Sequence, residues 1–260
     1  MFELKDRIAL VTGAGRGIGR DIALLLAGHG ARVAVTSRSE NELDEVVSSI
    51  KAAGGEACPL AADLGDVAAP GTLVEQVKDH YGPIEILVNN AGVGSSFKPA
   101  PVVDFDDDFW FLTLAVNLTA PYLLSKLVLP DMVTRKHGRI IMTASINGKV
   151  GAMHGAAYAA SKHGVLGLTR TMAMEHAGDG ITVNAICPGP VRTRMNDRRV
   201  EYDAKRRGVS LEDQERSMTP LGRRLEPQEI APMALYLASD EAVGITGQAF
   251  NIDGGLVMSG

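Results

Sequence analysis

The sequence predicts a doubly wound α/β fold, one open parallel sheet of seven strands in a single domain, and three observations predict it. Apolar runs rich in β-branched residues alternate with longer stretches of helical periodicity, the pattern of successive βαβ units. Aromatic residues make up only 5% of the chain beside 45% hydrophobic residues and 29 glycines, which suits helices layered on buried strands better than a β-sandwich. No repeat, low-complexity tract or Ser/Pro-rich linker divides the 260 residues, so residues 1–260 read as one unit.

The first strand falls at Ile8–Thr12, and a glycine-rich turn leads from it into an apolar helix, Asp21–Ala27, stopped by Gly30. The second strand, Arg32–Thr36, precedes a helix opened by a capping box of Ser39 and Glu42 and closed by Gly54-Gly55. Five more strands are expected near Ala57–Ala61, Ile84–Val88, Arg139–Thr143, Thr182–Ile186 and Gln248–Ile252, with a helix between each neighbouring pair. The acidic run Asp104-Phe105-Asp106-Asp107-Asp108 complements the positive N-terminus of the apolar helix that follows it. Residues 188–227 break the rhythm with a charged, helical insertion, and segments of that length in compact domains are usually lids.

A net charge of −5 argues against a protein that grips phosphate backbones, so no nucleic-acid partner is expected. Cys58 and Cys187 stand far apart without CxxC spacing, which fits a reducing cytoplasm rather than a disulfide framework or a zinc site. His154, His163 and His176 lack metal-ligand spacing, and no metal is expected. The charged N-terminus is no signal segment, and no later run approaches the roughly 18 apolar residues of a membrane span, so a soluble, non-exported protein is expected.

Chemistry concentrates at the carboxyl ends of the strands. Thr12-Gly13-Ala14-Gly15-Arg16-Gly17-Ile18-Gly19 links a strand to a helix, and there glycines let backbone approach a pyrophosphate whose charge rests on the helix N-terminus. After the second strand, where an acidic residue would bond the ribose 2′-hydroxyl of NAD, stand Ser37 and Arg38. Arg38, with Arg16 on the other side, offers a charge-assisted site for a 2′-phosphate, so NADP(H) is preferred and NAD(H) is the weaker option. Asp63-Leu64 and Asn90-Ala91-Gly92 follow the third and fourth strands, placed for the adenine and the second ribose. Ser145 ends the fifth strand. Tyr158 and Lys162, four apart on a helix, face one side, so the ammonium can lie beneath the phenol and lower a pKa that is ordinarily about 10.

Taken in order, TGAGRGIG at Thr12–Gly19, Asp63, NNAG at Asn89–Gly92, Asn117, Ser145, YAASK at Tyr158–Lys162, Asn184, CPGPVRT at Cys187–Thr193 and IDGG at Ile252–Gly255 resemble the short-chain dehydrogenase/reductase family. The resemblance runs from about Asp6 to Gly255 and implies a Rossmann-type sheet and interconversion of a secondary alcohol and a ketone. It implies Tyr158 as general acid and base, Lys162 as the group that tunes it and holds the nicotinamide ribose, and Ser145 as the group orienting the substrate oxygen. Asn117 would bend its helix, around Leu114–Leu124, and position a water for proton relay. Pro188, Gly189, Val191 and Thr193 would contact the nicotinamide end of the cofactor. Substrate choice would fall to Ser95–Val103, Ile146–Ala157 and the lid, where Arg192, Arg194, Arg198 and Arg199 lie nearest the site. The closing stretch is similar to ketoacyl-carrier-protein reductases and to sugar or polyol dehydrogenases alike. A homotetramer is implied as well, and Leu114–Leu129 with Val165–Met174 are apolar enough to be buried between subunits.

Overall fold

The structure, a computed structural model, describes residues 2–258. Its seven strands are β1 (Ile8–Thr12), β2 (Arg32–Ser37), β3 (Glu56–Ala61), β4 (Ile86–Asn89), β5 (Gly138–Thr143), β6 (Ile181–Pro188) and β7 (Ala249–Ile252). They form one sheet in the order β3-β2-β1-β4-β5-β6-β7, and every neighbouring pair is parallel. All seven expected strands are present, with ends moved by a residue or two. β4 starts later than expected because pairing with β1 begins at Ile86, opposite Ala9, while Ile84 is buried just ahead of the ladder. Pro59 sits within β3, where the missing N–H is tolerated because that strand is an edge.

Strand side chains alternate between two faces, and the alternation divides the core. Ala9 and Val11 join a cluster with Ile22 and Leu26 of α1 (Gly17–Gly28), Leu43 of α2 (Glu40–Ala52) and Ile230 and Ala234 of α9 (Pro227–Ala238). Ile8 and Leu10 face the other way, towards Leu73 of α3 (Ala69–Tyr81), Leu124 of α5 (Ala120–Arg135) and Val165 and Leu166 of α6 (Ala156–His176). Burial on both faces explains why the central strands read as unbroken apolar runs.

Three local expectations meet different fates. Gly30 and Gly54 follow the first two helices at φ +94° and +83°, as their stops require. Asp106 caps α4 (Asp107–Leu114) by accepting from Phe109 N at 2.7 Å. The Ser39/Glu42 capping box does not form: Ser39 occupies the N-cap position, but its side chain makes no capping bond. The Glu42 carboxylate is drawn instead to Arg16 Nη1 at 2.6 Å, an ionised pair that outcompetes a neutral backbone donor.

One helix bears on the membrane expectation. From Asp107 to Arg135 the chain is helical for 29 residues and is long and apolar enough, by length and composition, to cross a bilayer. It passes that test because α4 runs through a π-turn at Ala115–Thr119 directly into α5. Its apolar residues divide between the core, with Phe109, Leu124 and Val128, and an exposed face with Phe111, Leu112, Tyr122 and Leu127.

The insertion carries α7 (Arg194–Arg207) and α8 (Leu211–Arg216). Its base is pinned where Val191 bridges Leu225: Arg192 N donates to Leu225 O at 2.8 Å, and Leu225 N donates to Pro190 O at 2.9 Å.

Candidate active site

Strand order reverses between β1 and β4, and the crevice at their carboxyl ends is where doubly wound sheets bind ligands. Thr12, which the sequence reading did not single out, organises this point. Its hydroxyl accepts from Asn90 N at 2.9 Å and Ala91 N at 3.0 Å and donates to Val88 O at 3.3 Å. Asn90 Nδ2 donates to the carbonyls of Thr12 and Gly13, at 3.0 and 3.2 Å, so its amide braces the glycine turn instead of facing outward.

The turn has room for backbone alone. A Cβ at Gly19 would lie 2.3 Å from Gly13 O, and one at Gly13, whose φ is +63°, would lie 2.8 Å from Ala91 Cα. Helix α1 then opens at Gly17 behind an extended Arg16, and no side chain caps it. Its first-turn N–H groups are left to an external acceptor, so the cradle fits a dinucleotide pyrophosphate. Gly15 also lies in this turn, whereas the Ile18 side chain packs against the core.

The adenosine end is framed by Ser37, Arg38, Asp63 and Leu64. Arg38 is 70% exposed and stands 4.0 Å from the Asp63 carboxylate. Asp63 Oδ1 accepts from Gly65 N at 3.0 Å. Ser37 Oγ accepts from Ser39 N at 3.2 Å, while the Leu64 side chain is buried in the core. Only the Leu64 backbone is left to face a ligand.

On the opposite wall, Ser145 Oγ accepts from Asn147 N at 3.1 Å and hydrogen-bonds the Tyr158 hydroxyl. Lys162, buried on α6, donates from Nζ to Thr143 O at 2.7 Å and lies 5.7 Å from the centre of the Tyr158 ring. Burial brings its ammonium down to about 8. The Tyr158 phenol is pushed up by burial, with the Ser145 hydrogen bond pulling the other way. The expectation that Lys162 lowers the Tyr158 pKa is therefore not met in this state. Desolvation outweighs the Ser145 hydrogen bond, while the Lys162 ammonium is committed to a carbonyl.

Asn117 lies in the π-turn between α4 and α5, where the regular α-helical hydrogen bonding is interrupted. Its Oδ1 accepts from Val93 N at 2.7 Å, and its Nδ2 donates to Val93 O at 3.0 Å and to Ser161 Oγ at 3.1 Å. Ser161 Oγ in turn donates to Tyr158 O at 2.7 Å. Both amide hydrogens are thus used within the protein, so a relayed water would find no donor on this side chain. A Cβ on Gly92 would stand 3.4 Å from Asn117 Oδ1 and 3.9 Å from Lys162 Nζ, which brings Gly92, Asn117 and Lys162 to one point.

Pro188 ends β6, and Gly189 N donates to Ile252 O at 3.0 Å. Val191 is buried at the base of the insertion, whereas Thr193 caps α7 and approaches the glycine turn: a Cβ on Gly17 would be 3.2 Å from Thr193 Cγ2. The insertion meets the cleft loops through Ser96 Oγ, which donates to Met195 O at 2.8 Å, and Arg199 Nη2, which donates to Met153 O at 2.9 Å. Arg192 pairs with Glu215 and Glu226, Arg194 with Glu42 and Arg199 with Asp203. Arg198 instead stacks 4.6 Å from the centre of the Phe97 ring. Among the described residues no group of three His, Cys, Asp or Glu is arranged to hold a metal ion.

Comparison with known proteins follows the same geometry. Residues 13–257 match the family model described as enoyl-(acyl carrier protein) reductase. The chain is 42% identical over 254 residues to the provisionally assigned ketoacyl reductase 1 of the granaticin polyketide synthase of Streptomyces violaceoruber, covering 96% of this chain and 92% of that one. It is 38% identical over 257 residues to the 3-oxoacyl-[acyl-carrier-protein] reductase FabG of Thermotoga maritima, covering 99% and 100%. A crystal structure of a variant actinorhodin polyketide ketoreductase with NADPH superposes with a TM-score of 0.91 at 39% identity, covering 97% of this chain and 98% of that one.

Proposed function

The chain belongs to the short-chain dehydrogenase/reductase family and is an oxidoreductase acting between secondary alcohols and ketones; from that premise we propose that it uses NADP(H) to reduce the keto group of a 3-oxoacyl thioester. The observation that carries this reading is the meeting of Ser145, Tyr158 and Lys162 beside the glycine turn, with the Asn117 brace holding Val93 and Ser161 behind them. The ketoacyl reductases among its relatives, and the neighbour with NADPH, support the choice of substrate and cofactor.

The residues divide the work. The bound nicotinamide supplies the hydride when a ketone is reduced and accepts it when an alcohol is oxidised. Ser145 holds the substrate oxygen, and Tyr158 donates its phenolic proton as that oxygen becomes an alkoxide. A phenol raised by burial is in its protonated form at neutral pH, which is the form reduction requires. Lys162, brought down to about 8, is poised to return a proton to Tyr158. Gly13, Gly15, Gly17 and Gly19 present backbone to the pyrophosphate, Ser37, Arg38 and Arg16 face the adenosine phosphate, and Pro188, Gly189, Val191 and Thr193 border the nicotinamide end. The 188–227 insertion acts as the lid.

The enzyme works in the cytoplasm as a homotetramer, and two features support this. Cys58 and Cys187 are buried free thiols. A groove of about 530 Å³ runs between α5 and α6, lined by Tyr122, Leu129, Val133, Leu168 and Met172, and Phe111 and Leu112 on α4 are exposed as well. The test of function is NADPH consumption with acetoacetyl coenzyme A, followed by a panel of keto sugars and keto acids. Turnover of the thioester supports the reading. Turnover confined to the sugars or acids would replace the substrate class while leaving the chemistry intact.

A further inference from the structure

We infer that Glu42 is a specificity-determining residue that works against the cofactor's 2′-phosphate, narrowing the enzyme's preference for NADP(H) over NAD(H). The inference rests on the cofactor assignment above. Arg16 is one of two cations expected to flank a 2′-phosphate, and its Nη1 is bound by Glu42 Oε1 at 2.6 Å. The same oxygen lies 3.5 Å from Arg194 Nη1 on the lid helix, so one carboxylate is shared between two arginines. Its other oxygen reaches into the turn. A Cβ built on Gly15 would stand 3.0 Å from Glu42 Oε2 and 3.0 Å from Ser37 Oγ, so carboxylate and hydroxyl crowd the same point of backbone.

A fixed negative charge thus stands among Gly15, Arg16 and Ser37, where a phosphate dianion would have to settle. Glu42 neutralises the cation that would receive the phosphate and repels the phosphate as well. A bare ribose hydroxyl meets neither cost, because it is uncharged. Arg38, whose nearest carboxylate is 4.0 Å away, remains the freer cation, so the preference is reduced and not reversed.

The test is calorimetric binding of NADPH and NADH to the full chain carrying Glu42→Gln, with Glu42→Asp as the variant that keeps the charge. Glu42→Gln is expected to tighten NADPH by about 2- to 5-fold, the range of a partly exposed ion pair, and to leave NADH unchanged. Glu42→Asp should discriminate as the wild type does. The gain should shrink as salt rises from 0.05 to 0.5 M, because the effect is electrostatic. Weaker NADPH binding in Glu42→Gln would show that Glu42 positions Arg16 for the phosphate, and equal changes for both cofactors would show that it does not read the 2′ position. Either result overturns the inference while leaving the cofactor assignment standing. A wild-type chain that binds neither nucleotide would overturn both.

Discussion

Replacing Lys162 by methionine should stabilise the protein at neutral pH while abolishing its proton-transfer role, and the stabilisation should reverse with pH. The side chain is 4% exposed, and its pKa falls from 10.5 to about 8. That fall corresponds to about 3 kcal/mol, the cost of keeping the ammonium in its buried place. Folded Lys162 loses its proton near 8, whereas the unfolded chain holds it until 10.5. Between those values the unfolded state binds more protons, and wild-type stability rises with pH. The penalty is complete below pH 8 and gone above 10.5. Methionine escapes it but forfeits the 2.7 Å bond to Thr143 O, worth about 1 kcal/mol. The variant should therefore be about 2 kcal/mol more stable at pH 7, a rise of roughly 4–8 °C in Tm for a domain of this size. It should be about 1 kcal/mol less stable above pH 10.5, with the curves crossing just below that value. Thermal scans at fixed protein concentration from pH 7 to 10.5 check this. Parallel curves, or a variant less stable at pH 7, would refute the claim that burial dominates this lysine.

Further expectations concern the site and the assembly. Tyr158→Phe should bind NADPH as the wild type does in calorimetry but lose about 10²- to 10⁴-fold in kcat, and wild-type kcat would remove Tyr158 from the proton-transfer step. Arg38→Asp should weaken NADPH by about 10- to 100-fold, the loss of a charge-assisted contact, with little effect on NADH; equal losses would mean that the 2′-phosphate is held elsewhere. Sedimentation should show a tetramer at micromolar concentration, and Phe111→Glu, which charges a side chain 67% exposed on α4, should shift it to smaller species. A wild-type monomer would leave the apolar helix faces without an explanation.

How far the sequence revealed the fold follows from where its information is local. Strands such as β1 and β6, buried along their whole length, announce themselves by composition, and Gly30 and Gly54 mark helix ends because left-handed backbone there favours glycine. The continuous α4–α5 helix was hidden because its apolar residues serve two surfaces, one facing the sheet and one facing solvent. Arg139 was equally hidden. It falls inside a correctly placed strand, yet its guanidinium is 2% exposed and pairs with Asp240 at 3.0 Å, and Asp240 belongs to a turn a hundred residues on. No window of sequence carries that contact.

At the site, motif positions were legible and hydrogen-bond partners were not, and the difference alters the chemistry assigned to each group. The Asn90 amide is spent on the Thr12 and Gly13 carbonyls, which leaves the backbone of its turn to face a cofactor, and both Asn117 amide hydrogens are spent on Val93 and Ser161, which leaves only its oxygens for a water. The same logic explains why the Tyr158 pKa moves opposite to expectation. Four-residue spacing does bring Lys162 to the ring, but spacing says nothing of solvent, and the packing that aligns the pair leaves Lys162 buried and Tyr158 partly so. Lys162, down at about 8, still carries its charge at neutral pH, and the phenol, pushed up by burial, keeps its proton, the form that reduction of a ketone draws on.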